Sequence, residues 1–217
     1  EIESMVRKWF ALSTLTGRYS GSPESQFDKD IRRIDEIGAQ RYIADTVAAE
    51  LSDNFWEVAL PQAMNTSVSS SPLFSVFLAS QVKNNDKGFL SKEITVKDLI
   101  ELKGDVHHIF PREYLKKHGC NRGIYNQIAN YVMAQSEINI AIGSNPPVIY
   151  LSDVLNQCRG GKLKYGGINS EEELRKNLEM HCIPPEIFNM DFSRYAEFLE
   201  ERRKLMAGKI KDYFFSL

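Results

Sequence analysis

The stretch Asp105-Val106-His107-His108-Ile109-Phe110-Pro111 decides the fold of this 217-residue chain. Gly104 precedes it, and together they predict a short strand that carries two histidines at its end. Adjacent residues of a strand point to opposite sides, so His107 and His108 cannot both face one ligand. The two imidazoles must therefore have different tasks.

A second strand and a short helix are predicted downstream of the histidines. Residues 131–134 have the pattern of a strand, and Ser136 has the pattern of a helix N-cap. The apolar residues of that helix are Ile138, Ile140 and Ile142. The predicted order is strand, long loop, strand, helix.

The region before this segment has the pattern of helices. Phe27 and Ile31 begin an apolar series at helical spacing, and Gly38 favours a helix end after it. A further apolar helix is predicted over residues 73–82, after a polar loop. Residues 94–100 predict a short strand that runs into a helix.

Two more helices are predicted near the C-terminal end. Ser170 is followed by three glutamates and predicts the N-cap of a helix that runs to about Met180. Residues 192–215 have mostly helical apolar spacing and predict a long amphipathic helix. Between the histidines and these helices, residues 158–167 form a glycine-rich basic segment, which predicts a loop.

The fold class is therefore expected to be α+β and mainly helical, with three regions in one compact unit. They are an N-terminal helical region over residues 1–102, a core over residues 103–146 that contains the strands, and a C-terminal helical region over residues 147–217. The chain begins with Glu rather than Met, which indicates a fragment of a longer protein. We expect an upstream domain outside it.

Composition and charge favour a globular protein of the cytoplasm. No apolar run approaches the roughly 20 residues of a membrane span, and no signal-peptide pattern is present. The three cysteines have no CxxC spacing and are expected to be reduced thiols. Residues 1–102 carry 11 Lys and Arg against 15 Asp and Glu, and residues 103–217 carry 16 against 14, so the basic excess accompanies the histidines.

The residues of the central segment suit metal-assisted hydrolysis of a phosphodiester. That reaction needs a cation at the scissile phosphate, a base for the attacking water and rigid positioning of both. We assign the metal to His107 and to Asn139, in the first turn of the predicted helix, and the base to His108. Asn130, just before the second strand, is expected to tie down the loop after Pro111.

His-His-Ile-Phe-Pro at residues 107–111, followed by Ile128-Ala129-Asn130 and then Asn139, resembles the HNH, or His-Me finger, nucleases. The resemblance implies a ββα-metal hairpin, with His108 as general base, His107 and Asn139 on one divalent metal, and Asn130 in a structural role. His107 stands where the family more often has Asp. Because imidazole is softer than carboxylate, Mn²⁺, Co²⁺ and Ni²⁺ are candidates beside the expected Mg²⁺.

Looser similarity at Trp9, residues 17–20, residues 30–31 and residues 198–203 extends the resemblance to the C-terminal nuclease half of GmrSD-type modification-dependent restriction endonucleases. Those are bacterial systems that attack modified phage DNA. The resemblance therefore implies an antiviral DNA endonuclease that works with an upstream nucleotide-dependent domain, which this chain lacks.

Several basic side chains and one carboxylate are further candidates for the site. The predicted contacts to DNA phosphates are Arg112, Lys116, Lys117, Arg159, Lys162 and Lys164. Asp105 either accepts a hydrogen bond from a histidine ring nitrogen or caps the strand. Arg202, Arg203 and Lys204 follow two glutamates and are expected to form ion pairs along their helix.

Three alternatives stay open. A structural zinc site would join His107 or His108 to His118 and Cys120. In the second alternative, the chain is a DNA-binding or interaction module that does not cleave without an upstream domain. In the third, it is an HNH nuclease that cleaves RNA. Taken alone, His118 and His181 are expected to be ordinary surface or core histidines.

Overall fold

Helices dominate the architecture, which is a computed structural model that describes residues 2–217. Within those residues there is one sheet, of two antiparallel strands. The fold is therefore α+β and mainly helical, as the sequence predicts. In the described part of the chain, no helix has both the length and the apolar character needed to cross a membrane.

The elements before the sheet are helical. They are α1 Ile2–Thr16, α2 Pro23–Ile37, α3 Ala39–Glu50, a π-helical turn Phe55–Ala59, α4 Leu60–Ala63, α5 Pro72–Lys83 and α6 Val96–Glu101. Gly38 ends α2 as predicted, with φ at 84° and its N–H donated to the carbonyl of Ile34. Residues 94–100 are predicted as a short strand that runs into a helix, and the helix is present as α6. The strand is reduced to an isolated bridge between Lys87 and Thr95, because Thr95 and Asp98 form the capping box that starts α6.

The remaining elements include the two strands. They are β1 Val106–His108, α7 Arg112–Lys117, α8 Arg122–Tyr125, β2 Tyr131–Met133, α9 Ser136–Ile142, α10 Pro147–Cys158, α11 Glu171–Met180 and α12 Tyr195–Phe215. Short 3-10 turns cover Ile128–Asn130, Pro185–Asn189 and Phe192–Arg194. Ser170 caps α11 as predicted, since its hydroxyl accepts from the N–H of Glu173.

The strands form an antiparallel pair in which His107 lies opposite Val132 and His108 opposite Tyr131. The helix α9 follows β2, so the chain has the predicted order of strand, loop, strand and helix. Two details differ from prediction. The N-cap is Gln135, with Ser136 as the first helical residue, and Ile140 is 77% exposed because it lies on the side of α9 that faces away from the core.

The long helix α12 runs through the main core. It packs against α4, α5 and the 3-10 turn that precedes β2, and its buried side chains include Phe198, Met206, Ile210 and Phe214. Burial of each such side chain contributes about 1.5–3 kcal/mol. The same cluster contains buried residues from all three predicted regions, so the hairpin and both helical regions share one core.

A buried ion pair joins the first three helices. The side chain of Arg18 donates to both carboxylate oxygens of Asp30, at 2.9 and 2.5 Å, and Tyr19 and Tyr42 donate their hydroxyls to the same carboxylate. Arg18 also donates to Glu50 in α3. The buried residue of α2 is thus Asp30.

The apolar series predicted for α2 does not face the core. Phe27 is 47% exposed and Ile31 is 62% exposed. The ion pair beside them explains the difference, since it requires the polar edge of α2 to face α1 and α3.

We expect Asp30→Asn to lower the free energy of unfolding at pH 7 by about 3 kcal/mol, because it leaves a buried arginine without its main counterion. Burial opposes ionisation, but the hydrogen bonds from Arg18 and the two tyrosines lower the pKa of Asp30 to about 2. The carboxylate therefore stabilises the fold fully above its unfolded pKa of about 3.9, and this contribution is lost as pH falls towards 2.

Urea denaturation at a series of pH values measures this effect. The difference in the free energy of unfolding between wild type and Asp30→Asn should become smaller below pH 4. The control is Glu36→Gln, which removes an exposed pair with Arg33 and should cost less than about 0.5 kcal/mol. Equal stability of Asp30→Asn and wild type at pH 7 would contradict the account.

Candidate functional site

A cleft of about 410 Å³ lies at the end of the β-hairpin. It is lined by Asp105, Val106, His107, His108, Pro111, Arg112, Glu113, Asn139 and Gly143. The structure thus brings together both histidines, the downstream amide and one predicted phosphate contact. A groove of about 920 Å³ along α11 and α12 is larger but contains none of these groups.

His107 is half-buried, and its Nε2 is fully buried without a hydrogen-bond partner in the structure. Burial lowers the pKa of His107, and the negative charge of Asp105 only partly opposes that shift. The ring is therefore neutral at pH 7 and can offer a lone pair. A buried polar atom without a hydrogen-bond partner lowers the stability of the fold by about 1–3 kcal/mol, so a ligand bound to this nitrogen would remove that cost.

His108 is held by an amide that the sequence did not point to. Its Nε2 lies 2.9 Å from Oδ1 of Asn126, which follows α8. Because an amide oxygen only accepts, Nε2 carries the proton and Nδ1 keeps a free lone pair. The ring also packs edge-on against Tyr131, with centroids 5.3 Å apart.

The electrostatics of His108 favour the neutral base. Burial lowers its pKa, the hydrogen bond with Asn126 opposes that shift, and the positive charge of Arg112 adds to it. A neutral imidazole with one nitrogen already bonded can accept a proton only at the other nitrogen. The geometry thus makes Nδ1 of His108 the proton acceptor.

Asn130 is fully buried between the end of β1 and the long loop. Its Oδ1 accepts from the N–H of Phe110 at 2.8 Å, and its Nδ2 donates to the carbonyls of Phe110 and Tyr125, both at 3.1 Å. Tyr125 immediately precedes Asn126, the partner of His108. Asn130 therefore joins the strand that carries the histidines to the loop that orients one of them.

Asn139 and Asp105 complete the polar lining of the cleft. Asn139 lies in the first half of α9 and is half-buried, while Asp105 is exposed just before β1. Asp105 acts on His107 through its charge and makes no hydrogen bond with the buried Nε2 of that ring. Both residues line the same cleft as the histidines.

The alternative zinc site is not assembled in the described part of the chain. No three His, Cys, Asp or Glu side chains in residues 2–217 lie together as a metal-binding group. His118 stacks on Phe192 instead, at 4.4 Å, and Cys120 is buried in the main core. His181 is a fully buried core residue whose Nε2 meets the carbonyl of Lys87 at 2.8 Å.

The predicted phosphate contacts form two groups in the structure. Arg112 lines the cleft and Lys116 and Lys117 follow it on α7, with Glu113 paired to the first two at 3.1 and 3.0 Å. Lys117 is exposed. Arg112 therefore lies beside the histidines, and Lys116 and Lys117 extend the basic surface along α7.

The basic loop lies outside the cleft, and its charge is partly neutralised. Arg159 pairs with Glu171 at 2.6 Å, and Lys164 with Asp153 at 3.4 Å, while Lys162 is exposed. Both carboxylates come from the neighbouring helices, Asp153 from α10 and Glu171 from α11. On α12, Lys204 pairs with Glu200 and Glu201 as predicted, whereas Arg202 is fully buried and bonds to backbone carbonyls.

Comparison with curated proteins finds an uncharacterized protein of Methanocaldococcus jannaschii that is 26% identical over 94% of this chain. The chain spans 36% of the length of that protein. No family model matches the sequence. No solved structure matches it either.

The arrangement at His108 predicts one tautomer of the free protein. We expect the neutral ring to carry its proton on Nε2, because only that tautomer donates to Asn126. Nitrogen-15 chemical shifts of the imidazole in metal-free protein measure the tautomer directly. Asn126→Leu should give a mixture of tautomers, while His118 serves as an internal reference. A predominant Nδ1–H tautomer in wild type would show that the Asn126 contact does not orient the ring.

Proposed function

We propose that this chain is a metal-dependent DNA endonuclease of the HNH, or His-Me finger, type. The observation that carries the proposal is the cleft at the hairpin, where a neutral imidazole with a free Nδ1, a buried unpartnered imidazole nitrogen and a helical amide lie together. Their order on two antiparallel strands and a helix agrees with the ββα-metal hairpin that the sequence resemblance implies.

The residues present fit a divalent cation. Nε2 of His107 is buried and has no hydrogen-bond partner among the described residues, and Asn139 and Asp105 line the same cleft as His107. His107 and Asn139 would hold the ion, with Asp105 as a nearby negative charge. A bound divalent cation supplies Lewis-acid stabilisation of the charge that develops on the phosphodiester.

His108 is the general base in this proposal. Its Nδ1 removes a proton from water, while the Nε2–H bond to Asn126 keeps the ring from rotating. The depressed pKa of His108 leaves the ring unprotonated at neutral pH, which a base requires. General-base catalysis of this kind contributes roughly 10²- to 10⁴-fold in rate.

Basic side chains near the cleft bind the substrate through its phosphates in this proposal. We propose that Arg112 at the cleft and Lys116 and Lys117 on α7 contact the phosphates of the DNA substrate. Attack by the activated water on phosphorus, with departure of the 3′ oxygen, would leave 5′-phosphate and 3′-hydroxyl ends. Such contacts orient DNA but carry no sequence information, so they do not define which DNA is cut.

The biological role rests on the resemblance to GmrSD-type enzymes. We infer a phage-defence function in which an upstream nucleotide-dependent domain directs this chain to modified DNA. The relative from M. jannaschii is consistent with a longer polypeptide, since this chain spans 36% of its length.

Cleavage of plasmid DNA by wild type and His108→Ala tests the proposal. We expect wild type to nick or linearise the plasmid with Mg²⁺ or Mn²⁺. His108→Ala should lose activity by about 100-fold or more, with DNA binding unchanged, because only the base is removed. The matched control is His118→Ala, which lies outside the cleft and should cleave as wild type does. Undiminished cleavage by His108→Ala would exclude this mechanism.

Three further substrates separate the alternatives in the same assay. RNA, modified plasmid and unmodified plasmid are compared at equal concentration. Preferential cleavage of modified DNA supports the restriction role. Preferential cleavage of RNA would show that the substrate is RNA rather than DNA. Binding without cleavage under all conditions would make the chain an interaction module.

Metal binding tests the role of His107 and Asn139 separately from activity. We expect His107→Ala and Asn139→Ala to weaken Mn²⁺ binding by at least the roughly 10- to 100-fold that loss of an outer-sphere partner costs. His107→Asp should restore binding and shift preference towards Mg²⁺, because carboxylate is the harder ligand. Isothermal titration calorimetry measures both effects, with His118→Ala as control. Unchanged Mn²⁺ affinity in His107→Ala would show that the ion binds at another site.

A further inference from the structure

Arg202 of α12 is fully buried beneath the hairpin. Its Nε donates to the carbonyl of His181 at 3.1 Å, and its Nη1 donates to the carbonyls of Ala129 and Tyr131, both at 2.8 Å. The guanidinium lies 6.0 Å from the centre of the Phe77 ring. One arginine thus contacts the backbone at the start of β2 and after α11.

The charge of Arg202 is buried at a cost. No carboxylate of the described residues is within ion-pair distance of it, and its Nη2 is buried without a partner. Burial lowers the pKa of Arg202 to about 10. Removing a charge from water costs several kcal/mol, so an apolar side chain of similar volume would often be at least as stabilising here.

Two of the three carbonyls that Arg202 holds, those of Ala129 and Tyr131, flank Asn130. Asn130 in turn holds both backbone groups of Phe110 and the carbonyl of Tyr125. Phe110 lies two residues after the end of β1. Tyr125 immediately precedes Asn126, whose amide orients His108. The hydrogen bonds of Arg202, the backbone of residues 129–131 and the side chain of Asn130 therefore connect the guanidinium to the two segments that fix His108.

We propose that Arg202 is a positioning residue for the candidate catalytic hairpin, setting the backbone around Asn130 so that His108 and Asn126 meet. The proposal rests on the proposed function for its effect on rate, but its effect on geometry does not depend on cleavage. Arg202 touches neither the cleft nor a substrate. It acts through Ala129, Asn130 and Tyr131.

A lysine cannot replace this arginine. The planar guanidinium presents Nε and Nη1 in a fixed fork that reaches carbonyls from two segments at once, whereas lysine has one nitrogen at the end of a flexible chain. Arg202→Lys keeps the positive charge and loses the fork. Arg203→Lys, one residue later and only half-buried, is the matched control.

Cleavage kinetics and imidazole spectra of the two variants test the proposal. We expect Arg202→Lys to lower kcat by about 10- to 100-fold with KM unchanged, because a displacement of ~1 Å at a reacting group costs up to about 100-fold. The nitrogen-15 signals of His108 should also shift or broaden. Arg203→Lys should match wild type in both readouts.

Hydrogen exchange distinguishes positioning from general stabilisation. Positioning predicts that the amide of Phe110, which donates to Asn130, loses more protection in Arg202→Lys than the amides of α1 do. Equal loss at both places, with unchanged His108 signals, would overturn the proposal. Should Arg202→Lys not fold, Arg202→Met, which removes the buried charge at similar volume, is measured in the same way.

These readouts also separate failure of this inference from failure of the proposed function. If wild type cleaves neither DNA nor RNA, the proposed function fails. The spectra and the exchange of Phe110 still decide whether Arg202 sets the hairpin. If wild type cleaves and Arg202→Lys cleaves with equal kcat, the inference alone is wrong.

Discussion

The histidines lie on a hairpin of two three-residue strands, and the geometry of the candidate site is set by the contacts that hold so short a pair in place. An isolated two-stranded hairpin is at best marginally stable in water. Here the buried amide of Asn130 bonds across the end of the hairpin, and α12 packs behind it with eight buried side chains. The helical regions therefore act as the support that gives the hairpin one conformation.

Much of the local structure was readable from the sequence because local chemistry determines it. Gly38 ends a helix through its positive φ, Ser170 caps one with its hydroxyl, and the spacing of apolar residues gives α12. The cleft was also foreseeable in part, since His107, His108 and Asn139 lie within one short segment. Of the short strand and helix predicted over residues 94–100, only the helix formed, because the capping box of Thr95 and Asp98 starts α6 where the strand was expected.

The contacts that orient the site could not be predicted, because each joins residues far apart in the chain. Asn126 lies 18 residues from His108, and Arg202 lies 73 and 71 residues from the carbonyls of Ala129 and Tyr131. No rule of sequence spacing predicts either of these contacts. The acids that pair with the basic loop and the burial of Asp30 likewise arise from neighbouring helices, so only the packed chain reveals them.

The central claim is that His107 binds a divalent metal in the cleft beside a neutral His108. The most direct measurement is anomalous diffraction from crystals of the protein soaked in Mn²⁺. The account predicts a manganese peak bonded to Nε2 of His107 and to the amide oxygen of Asn139. A peak elsewhere, with Nε2 of His107 bonded to a protein group, would contradict it.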